Sequence, residues 1–223
     1  RDVTVTVNRV ARSDASVSPQ SYVQQSDLVT SAGGDIVLQT LNGSITVDDG
    51  SAPADDVGVD ADGTGNVLLQ AQSTGRTADV ALNADVQTDS GNISLIARDD
   101  VRQNEDPADA GRYGNIITGA AGTIDVGALD GSIIMADGAS ARTDAANIRY
   151  VAGTDIKVGL LDAREPVDRG GSLTNQANWG LIHLAAGDGV ITDAAGRVDA
   201  NDDGFADVDA VDLYAAELRL SAG

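Results

Sequence analysis

The sequence predicts an all-β protein, specifically a right-handed parallel β-helix (a solenoid) of about nine turns. Three observations favour this fold: short segments that alternate apolar and polar residues, turns rich in glycine, and a regular recurrence of these segments. The chain has 223 residues, 42% of them apolar, which is enough to bury a core. Because only 3% of the residues are aromatic, that core must consist of Val, Ile, Leu and Ala.

Ten short segments carry the repeated pattern. Each begins with a turn of glycine or small polar residues and then alternates with a period of two, as a strand with one buried face does. Each is also too short for a helix. The segments are GGDIVLQT (33 to 40), NGSITVDD (42 to 49), GNVLLQAQ (65 to 72), GNISLIAR (91 to 98), GTIDVGAL (122 to 129), GSIIMADG (131 to 138), ANIRYVAG (146 to 153), TDIKVGLL (154 to 161), GLIHLAAG (180 to 187) and GVITDAAG (189 to 196).

The spacing between these segments indicates a solenoid. The separations are 23 residues for Ile93 to Ile116, 24 for Ile124 to Ile148, 23 for Ile133 to Ile156 and 22 for Ile45 to Val67. A unit of about 20 to 25 residues with two or three strands is the period of a solenoid whose turns stack. The alternative is a set of β-sandwich adhesin domains, which predicts irregular strand spacing and Greek-key connections.

The chain organisation follows from this repeat. Residues 1–32 are expected to form an N-terminal strand, DVTVTVNRV (2 to 10), and a Ser- and Gln-rich loop leading into the solenoid. Residues 33–223 are expected to form the β-helix and to end in two strands. Loop insertions, the places where function is usually added, are predicted near 98–115, 162–179 and 197–210. The chain starts without Met and ends within an apparent repeat, so we expect a monomeric fragment of a longer protein.

Charge and composition exclude several classes of function. The net charge of −21 repels nucleic acids and anionic lipid surfaces, which argues against a nucleic-acid partner. There is no cysteine, so disulfides, thiolate metal sites and Cys nucleophiles are excluded. No apolar run reaches the length of a membrane span, so we expect no membrane insertion in this segment.

The stretch VDANDDGFADVD (198 to 209) predicts a calcium site. Its oxygen donors alternate as in the first nine positions of an EF-hand loop, and Gly204 occupies the sharp turn. The twelfth position is Ala210 in place of the usual bidentate acid, and Asp209 or Asp212 could supply the missing oxygens. The predicted ligands are Asp199, Asn201, Asp203, the Phe205 carbonyl, Asp207 and Asp209. The alternative is a solvated acidic loop.

An enzymatic alternative uses exposed charges of the first predicted insertion. Arg98, Asp99, Asp100 and Arg102 would serve a β-helical polysaccharide lyase or hydrolase. However, adjacent strand residues point to opposite faces, so adjacent carboxylates give no paired geometry, and the chain offers few aromatic platforms for sugars. We therefore predict no catalytic residues and no enzymatic activity.

The single histidine and the aromatic residues are weaker candidates. His183 lies between Ile182 and Leu184, so it faces solvent if those two face inward, and no second histidine is present to share a metal. Tyr113, Tyr150 and Trp179 are interpreted either as a small recognition patch or as packing under loops.

The chain resembles the β-helical repeat regions of large bacterial surface and secreted proteins. The segments that carry this resemblance are GNISL, GSIIMADGASARTDAANIRYVAGTDIKVGLLDAR and AAELRLSAG. These are filamentous-haemagglutinin-like and RTX-type giant adhesins, and the resemblance covers roughly 33 to 223. It implies an extracellular or cell-surface location, a structural or adhesive role in cell attachment and biofilm formation, and local stabilisation by calcium. It also implies an unknown surface ligand, a glycan or another adhesin. The GGxGxD nonapeptides of RTX export domains are missing, which leaves the export route open.

Overall fold

The computed structural model is an all-β parallel solenoid, which confirms the predicted fold class. It describes residues 3–5, 27–49, 55–75, 77–170, 175–194 and 212–223. The chain runs through three seven-stranded sheets in turn, called sheet 1, sheet 2 and sheet 3 after their order within one coil. Neighbouring strands within each sheet are parallel, apart from one antiparallel pair at the N-terminal end of sheet 3.

The strands divide into one N-terminal strand, six complete coils and the first two strands of a seventh coil. They are β1 (Val3–Val5); β2 (Leu28–Thr30), β3 (Ile36–Thr40) and β4 (Ile45–Val47); β5 (Val57–Ala61), β6 (Val67–Ala71) and β7 (Val80–Leu82); β8 (Asp85–Thr88), β9 (Ile93–Ala97) and β10 (Val101–Gln103); β11 (Ile116–Thr118), β12 (Ile124–Ala128) and β13 (Ile133–Met135); β14 (Ser140–Arg142), β15 (Ile148–Ala152) and β16 (Ile156–Val158); β17 (Leu160–Asp162), β18 (Leu181–Ala186) and β19 (Ile191–Asp193); and β20 (Leu213–Tyr214) and β21 (Glu217–Ala222). Strand β1 pairs antiparallel with β4, and the last two strands match the pair predicted for the C-terminal stretch.

The described residues form seven coils, the last without its third strand, where the sequence predicted about nine. The predicted number was too high because two of the four sequence spacings used to estimate the coil length connect strands of different sheets, and so do not measure a whole coil. Ile93 pairs with Ile124, not with Ile116, and Ile45 pairs with Val80, not with Val67. In sheet 2, the positions that align near the start of successive strands are 31, 26, 31, 24, 34 and 36 residues apart: Ile36, Val67, Ile93, Ile124, Ile148, Ile182 and Leu218.

The core is a set of apolar ladders that run along the solenoid. In sheet 2 the inward positions repeat as a β-branched residue, then usually Leu, then usually Ala, for example Ile93, Leu95 and Ala97. The strands of sheets 1 and 3 mostly span three residues and contribute shorter ladders. Full burial of each Ile, Leu or Val side chain contributes about 1.5 to 3 kcal/mol, so the repeated ladder drives folding.

The corner between sheet 1 and sheet 2 requires glycine. A Cβ on Gly65, Gly91 or Gly122 would lie 2.2, 1.8 or 2.2 Å from the carbonyl oxygen of the preceding coil's corner glycine. The threonines just before this corner close it by hydrogen bonds. Thr88 donates its hydroxyl to the Gly65 carbonyl oxygen at 2.8 Å, and Thr118 donates to that of Gly91 at 2.7 Å. The coils therefore approach each other closely at this corner.

A column of polar side chains runs beside this corner and ties successive coils together. The Asp35 carboxylate accepts hydrogen bonds from the backbone N–H and the side-chain amide of Asn66, at 2.8 and 2.9 Å. The Asn66 side-chain oxygen accepts the same two kinds of bond from Asn92, and Asn92 accepts from the backbone N–H and hydroxyl of Thr123. The backbone and side-chain hydrogen bonds from Asn66 also lower the pKa of Asp35. Similar columns start at Asp48 and Asp85.

Two excursions from the coils are described. The first follows β10 and spans 104–115. It is shorter than the insertion predicted near 98–115, because Val101 and Gln103 point inward and belong to strand β10. The second spans 163–180 and contains two 3-10 helices, Pro166–Gly170 and Gln176–Asn178, on either side of residues outside the description. The third predicted insertion, 197–210, lies outside the described residues.

Candidate functional site

The residues predicted to bind calcium lie outside the described residues. They are Asp199, Asn201, Asp203, Phe205, Asp207 and Asp209. Asp212, the alternative donor, is described and half-buried, and its carbonyl oxygen accepts a hydrogen bond from the Leu161 N–H at 2.7 Å. Asp212 thus immediately precedes β20 and is held against β17. Calcium binding at this loop stays a prediction.

A second group of carboxylates comes together elsewhere in the fold. Oxygen atoms of Asp49, Asp56 and Asp106 lie within 4.8 Å of one another, and Asp106 is only 6% exposed. Arg112 pairs with Asp56 at 2.5 Å and with Asp109 at 2.8 Å, and the hydrogen bond to Asp56 raises the pKa of the Arg112 guanidinium. These donors suit a hard cation, but the arginine already compensates part of the negative charge. Sequence reasoning missed the group because its members come from different coils.

Three residues of the enzymatic alternative, Arg98, Asp99 and Asp100, form the corner between β9 and β10, and Arg102 lies in β10. Arg98 pairs with Asp130 at 2.5 Å, and Arg102 pairs with Asp100. The Asp100 carboxylate also accepts the backbone N–H of Ser132 in the next coil, at 2.8 Å. These side chains therefore link successive coils, as the side chains of the polar columns do.

His183 lies on the outer face of sheet 2. Its neighbours Ile182 and Leu184 are fully buried, so the alternation places His183 on the opposite face, as expected. The register aligns His183 with Arg149 on one side and Arg219 on the other. Three basic side chains thus lie in register on this outer face.

The three aromatic residues considered in the sequence have different surroundings. Tyr150 is fully buried in the middle ladder of sheet 2, between Val126 and Leu184. Tyr113 packs against the core at the end of the first excursion, and Trp179 lies in the second excursion. A residue inside the solenoid cannot belong to a surface patch, so Tyr150 serves packing.

The second excursion is held on the outer face of sheet 1 by a buried ion-pair cluster. Asp162 is 2% exposed, and its two carboxylate oxygens accept hydrogen bonds from Nε and a terminal nitrogen of Arg164, at 2.9 and 2.8 Å. Arg169 adds a second guanidinium 3.3 Å from Asp162 and pairs with Asp144 at 2.9 Å. A bidentate pair in this setting fixes both partners in one geometry.

Aromatic contacts complete this cluster. The Arg164 guanidinium carbon lies 3.5 Å from the centre of the Tyr214 ring, which is a cation–π contact. Trp179 meets Tyr214 edge to face at 6.4 Å and donates its indole N–H to the fully buried Asp168 at 2.6 Å. The cluster therefore connects the excursion to β17 and to the seventh coil.

The only tryptophan of the chain reports on this cluster, and acid is expected to loosen it. Burial alone would raise the pKa of Asp162, but the hydrogen bonds and charges of Arg164 and Arg169 outweigh it, so the pKa is lowered below 3.8. The stabilisation from Asp162 is then complete above about pH 4 and is lost as pH falls through the lowered pKa.

We expect Trp179 fluorescence in the parent chain to stay constant from pH 7 to about 4 and to change only below that. Asp162→Asn should show the changed emission already at pH 7, whereas Asp125→Asn, at an exposed ion pair, should behave as the parent does. Parent-like emission of Asp162→Asn across the range would contradict this role for the carboxylate.

Comparisons with protein-family models, curated proteins and solved structures give no match. Within the part of the chain that the structure describes, no helix has the length and apolar character needed to cross a membrane.

Proposed function

We propose that this chain is a non-enzymatic structural and adhesive segment of a large exported bacterial protein. In this role it is a stiff shaft at the cell surface or outside the cell that supports attachment and biofilm formation. The observation that carries the proposal is the in-register stacking of seven coils, with apolar ladders inside and polar columns at the corners. The resemblance of the repeats to those of giant adhesins supports the exported, adhesive part.

The mechanism is mechanical. Each coil is joined to the next by the hydrogen bonds of three parallel sheets, so the load along the axis is shared by many bonds. The side-chain columns that begin at Asp35, Asp48 and Asp85 add further links between coils. A net charge of −21 keeps such rods soluble and opposes their sideways association.

Calcium is proposed to stabilise the loop that contains Asp199 and Asp203. Four aspartates within nine residues, Asp199 to Asp207, repel one another until a divalent cation neutralises them. Because this loop lies between β19 and β20, calcium there would fasten the seventh coil to the sixth.

The experiment compares the parent with two variants, Asp199→Ala/Asp203→Ala and the control Asp49→Asn/Asp106→Asn, in EDTA and in millimolar calcium. Binding at a hundredfold excess over Kd adds about 2.7 kcal/mol, which raises the melting temperature of the parent by about 5 to 10 °C. We expect the same rise in the control and none in Asp199→Ala/Asp203→Ala. If the calcium-dependent rise in melting temperature disappears only in the control, calcium binds at the Asp49, Asp56 and Asp106 group instead.

The attachment role is measured with the same chains displayed on a non-adherent bacterium, by the biomass retained on a surface after washing. We expect the displayed parent to increase attachment, and the increase to weaken in EDTA. Display of a folded chain without added attachment would contradict the adhesive role. Cleavage of a polysaccharide that is lost in Asp100→Ala would replace it with the enzymatic alternative.

A further inference from the structure

The outer face of sheet 2 combines an exposed ion pair with a depression. Two side-chain rows run across its strands in register. The first row contains Leu68, Ser94, Asp125, Arg149, His183 and Arg219, and the second contains Gln70, Ile96, Gly127, Val151 and Ala185. The first row is mostly polar and the second is mostly small or aliphatic. The first row carries charges of both signs, in Asp125 and in Arg149 and Arg219.

Gly127 creates a depression in the second row. Its neighbours in register are Ile96 and Val151, and a Cβ at Gly127 would meet no atom within 4 Å. The depression has a volume of about 220 Å³, and Leu129, which is 57% exposed, contributes to its lining. Gly127 thus leaves an open floor between two aliphatic walls in the middle of the face.

One edge of this depression is polar. Asp125 and Arg149 form an ion pair at 2.7 Å, and about half of each side chain is exposed. A carboxylate accepts hydrogen bonds and a guanidinium donates several, so the pair offers both kinds of partner to a hydroxyl-bearing ligand. The described lining contains no aromatic residue, so the aliphatic walls take the place of an aromatic platform against the C–H face of a sugar ring, and the ion pair suits its hydroxyl groups.

We propose that this depression is a docking subsite for one ring of a neutral oligosaccharide. Long-range repulsion from a net charge of −21 disfavours anionic glycans and also a second copy of this chain, but it leaves a neutral glycan unaffected. Successive coils repeat every ~4.8 Å, so Ser94, Asp125, Arg149 and His183 present polar groups at regular steps to a ligand that runs along the axis. This inference rests on the proposed attachment role and names the class of its partner.

The test uses a panel of neutral gluco-, manno- and galacto-oligosaccharides, with oligogalacturonates as the anionic comparison, and saturation-transfer NMR on the full chain. Gly127→Leu fills the depression from an outward-facing strand position, and Asp125→Ala/Arg149→Ala removes its polar edge. Ala81→Leu places the same leucine side chain on the outer face of sheet 3 and is the matched control. Melting temperatures show that each variant is folded.

We expect at least one neutral oligosaccharide to bind the parent and Ala81→Leu, and both site variants to lose at least tenfold in affinity. Four results would overturn the proposal: no binding of any neutral oligosaccharide, undiminished binding by folded Gly127→Leu, binding of oligogalacturonates alone, or a parent dimer that Gly127→Leu abolishes. If attachment in the display experiment persists without glycan binding, the docking subsite fails alone. If a neutral glycan binds the depression but the displayed chain adds no attachment, the adhesive role fails and the subsite remains.

Discussion

Gly91→Ala is expected to lower the free energy of unfolding by about 3 kcal/mol or more. The added methyl would lie 1.8 Å from the Gly65 carbonyl oxygen and 2.5 Å from its carbonyl carbon, both backbone atoms of the preceding coil. Backbone cannot rotate away as the end of a side chain can. The two coils would therefore have to separate at this corner, and the hydrogen bond from Thr88 to Gly65 would weaken with them.

Gly127→Ala is the matched control for this prediction. Both changes add one methyl to a glycine in or beside a sheet 2 strand, but at Gly127 the methyl meets nothing within 4 Å. Its cost should stay within about 0.5 kcal/mol. Thermal unfolding followed by far-UV circular dichroism should give a midpoint about 6 to 12 °C lower for Gly91→Ala and nearly unchanged for Gly127→Ala. Equal midpoints for the two variants would show that the corner tolerates separation.

Sheet 2 could be predicted from the sequence because its strands are long enough to show alternation. Strands such as β9 and β15 bury three residues each and turn the other two outward, which gives a clear period of two. Several strands of sheet 1 have three or four residues and bury only two of them. In β8 and β11 one of those two is a threonine that faces the corner, Thr88 or Thr118. Such strands have too few apolar residues to be recognised in the sequence. The predicted number of residues in each coil was therefore too small, and the predicted number of coils too large.

The polar clusters could not be predicted because they depend on contacts between distant parts of the chain. The second excursion was marked as an insertion from its broken rhythm, yet nothing in its sequence shows that Arg164 stacks on Tyr214, 50 residues later. The depression at Gly127 has the same origin, because it exists only where a glycine meets Ile96 and Val151 in register. Register in a solenoid with coils of 24 to 36 residues is set by excursion lengths that the sequence does not display.

Tyr150→Ala is expected to lower the free energy of unfolding by about 3 to 5 kcal/mol, because it empties the largest fully buried side-chain position of the core. Tyr150 also holds a polar link across the solenoid. Its hydroxyl donates to the Gln103 side-chain oxygen at 2.7 Å, and the Gln103 amide donates to the carbonyl oxygens of Gly114 and Ser140 at 3.0 and 3.1 Å. Gln103 lies in a ladder between Leu82 and Met135, so it is polar where its neighbours are apolar.

Tyr150→Phe distinguishes the contribution of the packed ring from that of the hydrogen bond. It keeps the ring but leaves the Gln103 oxygen without its donor, which should lower the free energy of unfolding, measured by urea denaturation, by about 1 to 3 kcal/mol. Burial raises the pKa of the Tyr150 hydroxyl, so the folded state favours its neutral form. The stability of the parent should therefore fall as pH rises above the unfolded value of about 10, and it should fall less in Tyr150→Phe. Equal losses for Tyr150→Phe and Tyr150→Ala would show that the hydrogen-bonded link, and not the filled volume, holds this part of the core. Parent-like stability of Tyr150→Phe at neutral pH would show that the link contributes nothing beyond packing.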